Sequence, residues 1–118
     1  MKALVVDDSA VMRKVLIGAL TRADITDVEQ AADGQEAVDA VKRSEFDLVL
    51  MDWNMPNMLG IDALREIRAL GKTMPIIMVT TEAEKSRVVE AIKAGATNYI
   101  VKPFEPSTIV AKIQDVLK

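Results

Sequence analysis

Cysteine and histidine are both absent from this chain. Without thiols there is no disulfide framework and no thiolate site. A protein zinc site loses both of its usual ligands, so any metal bound here must be held by oxygen. Aromatic residues are scarce, with one tryptophan, one tyrosine and two phenylalanines, which leaves little to stack a flat cofactor ring. An excess of positive charge is missing as well: a net −3 provides no basic patch for nucleic acid. No segment approaches the roughly 18 consecutive apolar residues of a membrane span, and the apolar run in "MKALVVDDSA" is too short for a signal peptide. The expectation is a cytoplasmic protein.

Half of the 118 residues are nevertheless apolar, enough for a two-sided core, and their spacing is informative. Short runs "ALVV" (3 to 6), "VEQA" (28 to 31), "LVLM" (48 to 51), "IIMV" (76 to 79) and "YIV" (99 to 101) read as strands. Stretches of helical period alternate with them: Met12, Val15, Leu16, Ala19 and Leu20; Ala37, Val38 and Val41; Ile61, Leu64 and Ile67; Val88, Val89 and Ile92; Ile109, Ile113, Val116 and Leu117. Asp33 with Glu36 and Thr81 with Glu84 have capping-box spacing, Pro106 suits a first helical turn, and Gly71 and Gly95 suit helix exits. The pattern predicts an α/β fold, a (βα)5 doubly wound five-stranded parallel sheet of order 2-1-3-4-5, covered on both faces. One domain over residues 1–118 is expected.

Polar residues stand at the ends of these runs: Asp7 and Asp8 after the first, Asp52 after the third, Thr80 after the fourth and Lys102 after the fifth. These are carboxyl ends of parallel strands, where doubly wound sheets bind ligands, and strands about 4.8 Å apart let such residues meet across one small anion. Each has an ordinary alternative. Asp7 and Asp8 could cap a helix, Asp52 could be a turn residue, Thr80 a strand-end hydroxyl bonded to backbone, Lys102 a solvated lysine, and Tyr99 a packing aromatic with a wet hydroxyl. Their joint placement favours a site. Gathered carboxylates repel by about 4 kcal/mol per pair at 4 Å and an effective dielectric of 20, so the cluster should take a proton or a cation. Magnesium, which suits one or two carboxylates plus water and a phosphate oxygen, fits that set.

The segments "LVVDDSAVMRK", "DLVLMDWNMPNMLG", "PIIMVTTEAEK" and "AGATNYIVKPF" together resemble the response-regulator receiver family, in particular its CheY-like chemotaxis members, over Lys2 to Lys118. The resemblance implies Asp52 as phosphoacceptor, Asp7 and Asp8 as the acidic pair, Thr80 as the switch hydroxyl, Tyr99 as the switch aromatic and Lys102 as the active-site lysine. It implies Mg²⁺ held by Asp8, Asp52 and the Asn54 backbone carbonyl, with Asp7 acting largely through water, and a cis peptide before Pro103. It implies that Asn54 and Glu82 set the rate of dephosphorylation. It also implies that phosphorylation draws Thr80 inward and lets Tyr99 turn, reshaping a partner face that includes Lys85, Tyr99 and Lys112.

The expected partners are a sensor histidine kinase, a downstream target such as the flagellar motor switch, and in some systems a phosphatase. The expected role is a monomeric stand-alone switch that catalyses its own phosphorylation and dephosphorylation; a phosphorelay intermediate would use the same residues. An aspartyl-phosphate hydrolase wants a second acid two residues after its nucleophile, where Asn54 stands, and a flavodoxin-like carrier wants the aromatics and glycine loop this chain lacks. Leu59 departs from the family, which commonly has an acid there, and the expectation is altered loop packing or partner contact.

Overall fold

β3 (Leu48–Met51) explains why the sheet is covered on both sides: all four residues are fully buried, and alternate side chains of a strand leave by opposite faces. Leu48 and Leu50 enter one core, with Ala3, Val5, Leu16 and Ile109. Val49 and Met51 enter the other, with Leu4, Val38, Leu64 and Met78. A strand wet on one side would alternate apolar with polar; this one has no polar position to offer.

The computed structural model describes residues 1–118. Around β3 lie β1 (Lys2–Val6), α1 (Ala10–Arg22), β2 (Asp27–Ala31), α2 (Gly34–Arg43), α3 (Gly60–Ala69), β4 (Ile76–Thr80), α4 (Lys85–Ala94), β5 (Asn98–Val101) and α5 (Pro106–Val116). The strands form one parallel sheet in the order β2-β1-β3-β4-β5, as the sequence pattern predicts. α1 and α5 supply the core on one face, and α2, α3 and α4 the core on the other. No helix is long and apolar enough to cross a membrane. Lys102–Pro103 is a cis peptide, as the family resemblance implies.

Register fixes what emerges at the carboxyl edge. Val6 pairs with Met51 across β1 and β3, and Thr80 with Val101 across β4 and β5. The ladder runs one residue further, since the Asp7 amide donates to the Ala31 carbonyl at 3.1 Å and the Asp52 amide to the Val6 carbonyl at 3.0 Å. Asp7 and Asp52 therefore leave the sheet with their backbones still pinned.

Helix ends follow the sequence signals unevenly. Asp33 caps α2 by accepting from the Glu36 amide at 2.8 Å, but the Glu36 carboxylate reaches back to the Ala32 amide at 3.0 Å, one residue beyond the Asp33 amide of a reciprocal box. The expected Thr81–Glu84 box does not form. α4 starts at Lys85, Glu84 is itself the cap residue, and no side chain caps that end. α4 also departs from its expected face. Ala91 is its one fully buried residue, while Val89 and Ile92 are 40% and 48% exposed, because the helix rests on the sheet by one narrow edge. Val15 of α1 is likewise exposed. Gly71 and Gly95 follow α3 and α4 with φ of 83° and 113°, conformations in which a side chain would be strained.

Leu59 is the cap residue before α3; its extended backbone (φ −65°, ψ 150°) suits a cap, but its side chain cannot accept a hydrogen bond and lies 41% exposed. Leu59→Asp supplies the missing acceptor and a negative charge at the positive helix end. It is expected to raise stability by about 1 kcal/mol, measured as a higher urea midpoint with unchanged slope.

Candidate functional site

The loop after β1 carries the first two acids. Asp7 is buried and its carboxylate is held twice: Oδ1 accepts from the Ser9 amide at 2.9 Å and Oδ2 from Lys102 Nζ at 2.7 Å. Ser9, not either aspartate, caps α1, through its hydroxyl and the Met12 amide at 3.2 Å. That removes the capping alternative for Asp7 and Asp8. Asp8 stays exposed beside them. Arg13, one turn into α1, donates to the Asp7 carbonyl at 2.7 Å and to Gln30 Oε1 at 2.9 Å, fixing this loop against β2.

Asp52 emerges from β3 and is buried. Its Oδ1 accepts from the Trp53 amide at 2.7 Å, and its Oδ2 faces Lys102 Nζ at 3.3 Å. One ammonium thus bridges two buried carboxylates, with its own side chain only 13% exposed. One carboxylate oxygen from each of Asp7, Asp8 and Asp52 lies within 4.8 Å of the others. Three acids and one lysine leave this pocket two negative charges in excess. The donors are all oxygen and half-enclosed, a set that suits a hard divalent cation.

Lys102 and Thr80 come from adjacent strands and are joined by backbone, the Lys102 amide donating to the Thr80 carbonyl at 2.8 Å. Thr80 is fully buried and its Oγ1 accepts from the Glu82 amide at 3.2 Å, leaving its own hydroxyl proton to donate elsewhere. Asn54 and Glu82, predicted to flank the site, touch each other: Asn54 Nδ2 donates to Glu82 Oε2 at 3.0 Å.

Tyr99 lies beneath the surface of α4, β5 and α5, not on it. Its residue is 8% exposed and its hydroxyl donates to the Glu82 carbonyl at 2.6 Å. Burial, reinforced by the Glu82 carboxylate, pushes that hydroxyl up to about 12, so it stays a donor at neutral pH. The alternative of a wet hydroxyl does not hold here, and as a partner contact Tyr99 is covered in this conformation. Lys85 is exposed at the start of α4, and Lys112 of α5 donates to Asn98 Oδ1 at 3.2 Å.

Other contacts carry no signal in the sequence pattern. Asp33 accepts from Asn57 Nδ2 at 2.7 Å as well as from the Glu36 amide, and those two hydrogen bonds hold its carboxyl below the usual carboxylate range. Asn57 has a φ of 66°, and the Met58 carbonyl accepts from the Gly34 amide at 3.2 Å. The loop after Asp52 is thereby latched to the start of α2. Arg87 of α4 spreads over the Trp53 ring at 5.5 Å and approaches Glu82 Oε1 at 3.6 Å.

The chain is similar to known proteins over nearly its whole length. The family described as "Response regulator receiver domain" matches residues 3–114. A Campylobacter jejuni protein named "Chemotaxis protein CheY homolog" is 50% identical over 99% of this chain and 92% of its own. The Vibrio cholerae protein named "Chemotaxis protein CheY-3" is 40% identical over 100% of this chain and 92% of its own. Among solved structures, CheY4 of Vibrio cholerae superposes with a TM-score of 0.90 at 39% identity, covering 98% of each chain. A Borrelia burgdorferi structure described as a CheX-CheY-BeF3-Mg+2 complex superposes with a TM-score of 0.95 at 31% identity, covering 100% of this chain and 90% of its counterpart.

Proposed function

This chain belongs to the response regulator receiver family and is of the CheY type, and from that premise we propose that it is a chemotaxis switch whose phosphoacceptor is Asp52. The observation that supports this most directly is the placement of Lys102 Nζ, 2.7 Å from Asp7 and 3.3 Å from Asp52, beside a third acid. An ammonium shared by two carboxylates is poised to move its interaction to phosphoryl oxygens as they arrive.

In the proposed reaction an Asp52 carboxylate oxygen attacks phosphorus in line. The new P–O bond forms as the bond to the donor's imidazole nitrogen breaks, its electron pair staying on that nitrogen. Asp52 is fit for this because its strand is buried on both faces and its Oδ1 is anchored by the Trp53 amide, so the attacking group is aimed before the donor binds. Asp8, Asp52 and the Asn54 carbonyl would hold Mg²⁺, with Asp7 acting through water, and the ion when bound supplies positive charge to the phosphoryl oxygens. Lys102 neutralises the same oxygens from the other side. Thr80 then donates its free hydroxyl proton to one of them.

The switch depends on one residue. Glu82 gives its amide to Thr80 and its carbonyl to Tyr99, so a shift of Thr80 toward a phosphoryl group changes the acceptor that holds Tyr99 inward. We assign Tyr99 two positions, the buried one seen here and an outward one, with phosphorylation favouring the former. The α4, β5 and α5 face, with Lys85 and Lys112 at its rim, would then be read by a downstream target, the flagellar motor switch being the one this family type suggests. The donor would be a CheA-like sensor histidine kinase.

Trp53 fluorescence tests the reading, since the indole adjoins Asp52. Titrated Mg²⁺ is expected to give a saturable change. Acetyl phosphate should then add a second change, accompanied by the mass of one phosphoryl group and decaying once the donor is removed. A protein that gains no such mass with Mg²⁺ and acetyl phosphate present does not work by the proposed phosphorylation of Asp52.

A further inference from the structure

The Glu82 carboxylate is held from two sides, by Asn54 Nδ2 at 3.0 Å on Oε2 and by Arg87 Nε at 3.6 Å on Oε1. Arg87 is itself fixed. Its guanidinium lies 5.5 Å from the Trp53 ring centroid, and its Nη1 pairs with Glu90 Oε1 at 3.3 Å. The other Glu90 oxygen accepts from Arg65 Nη2 of α3 at 2.9 Å. A charged string therefore runs from α3 through α4 to a carboxylate at the rim of the phosphorylation site. The planar guanidinium can stack on indole and face a carboxylate at once, which an ammonium does less well.

We propose that Arg87 is a positioning residue for loss of the phosphoryl group, acting through Glu82; this rests on the proposed phosphorylation of Asp52. In that hydrolysis a water oxygen forms a new bond to phosphorus while the bond to the Asp52 oxygen breaks. The electron pair returns to the carboxylate, and the water proton leaves with inorganic phosphate or to solvent. Asn54 and Glu82 flank the path of that water. A carboxylate free to swing among rotamers orients water poorly, whereas one clamped between an amide and a guanidinium presents one direction. Arg87 also offsets the Glu82 charge, which would otherwise be driven away from a phosphoryl dianion.

Loading with Mg²⁺ and acetyl phosphate, removal of the donor and intact-mass measurement of the decay provide the test. Arg87→Ala is expected to lengthen the phosphorylated lifetime about threefold, the scale of one partly exposed ion pair, while leaving the loading rate unchanged. Arg87→Lys should recover part of the loss. In a Glu82→Gln background Arg87→Ala should add nothing, an outcome that a merely structural role for Arg87 would not produce. Without metal or donor, Trp53 emission should differ between wild type and Arg87→Ala, reporting the ring contact directly. An unchanged lifetime in Arg87→Ala, an equal slowing in the Glu82→Gln background, or identical emission spectra overturns the inference. A wild type that is phosphorylated and decays while Arg87→Ala matches it sinks this inference alone; a wild type that takes no phosphoryl group sinks the proposed phosphorylation of Asp52 with it.

Discussion

Asp52→Asn is expected to abolish every response to a phosphodonor while leaving the fold at least as stable as wild type. The first half rests on chemistry: a carboxamide oxygen is too weak a nucleophile for phosphoryl transfer at neutral pH, and no other side chain in the pocket combines burial with the same aim. The second half is a matter of sign. Asp52 sits among two like charges and one opposite charge, with Asp7 and Asp8 oxygens within 4.8 Å and Lys102 Nζ at 3.3 Å. Asparagine removes two repulsions and one attraction, and it keeps an oxygen able to accept from the Trp53 amide. Lys102 retains Asp7 at 2.7 Å, so no buried charge is orphaned, the usual source of large losses at such sites. A gain on the order of 1 kcal/mol is expected in metal-free urea unfolding, together with weaker stabilisation by added Mg²⁺. Intact mass after exposure to acetyl phosphate should show no adduct. An adduct on the variant would move the phosphoacceptor elsewhere, and a large loss of stability would mean that Asp52 is a structural partner of Lys102 rather than a group held in reserve.

The strands were legible because burial leaves a simple mark. Leu48 to Met51 has no polar residue, and only a strand covered on both faces tolerates that. The site acids were legible for the related reason that each stands where an apolar run stops, and register does the rest: Val6 opposite Met51 brings Asp7 and Asp52 out side by side. Signals that depend on a helix's surroundings were less readable. Val89 and Ile92 have helical spacing, yet α4 buries only Ala91, because period states which residues share a face and not how much of that face the sheet covers. Thr81 and Glu84 have the spacing of a capping box, yet the Thr80 hydroxyl takes the Glu82 amide and the helix starts only at Lys85. Arg87, Arg13 and the Asp33–Asn57 pair were invisible for a third reason. Their partners lie 5, 6 and 24 residues away in directions that only the folded loops decide. Tyr99 shows the limit most clearly, since no sequence pattern distinguishes an aromatic that faces a partner from one turned beneath the surface onto a carbonyl.

Gly60→Ala should be the most damaging single-methyl change in the molecule. Gly60 opens α3, donating its amide to the Trp53 carbonyl at 2.8 Å, and it does so with an ordinary negative φ, so conformational freedom is not why glycine stands there. Space is. A Cβ at this position would overlap the Asp52 carbonyl oxygen, approach the Asp52 carbonyl carbon to 2.8 Å and meet the Trp53 Cα at 3.1 Å. These are backbone atoms of Asp52 and of the residue next to it, and the Asp52 amide is already tied to the Val6 carbonyl at 3.0 Å. Relief by rotamer is impossible; either α3 lifts off the end of β3 or Asp52 shifts. The expected cost is about 4 kcal/mol or more, in the range reserved for overpacking that has nowhere to relax. Gly18→Ala is the matched control. It lies inside α1 with open space where its Cβ would sit, and it should gain about 0.5–1 kcal/mol from helix propensity. Urea unfolding compares the two directly. Where Gly60→Ala remains folded at low temperature, Mg²⁺-dependent quenching or enhancement of Trp53 should be reduced out of proportion to the remaining folded fraction, because the displaced group carries the carboxylate proposed to hold the metal. A Gly60→Ala protein with wild-type midpoint and wild-type metal response would show that α3 does not press on Asp52 at all, and that the aim of this carboxylate comes from its strand alone.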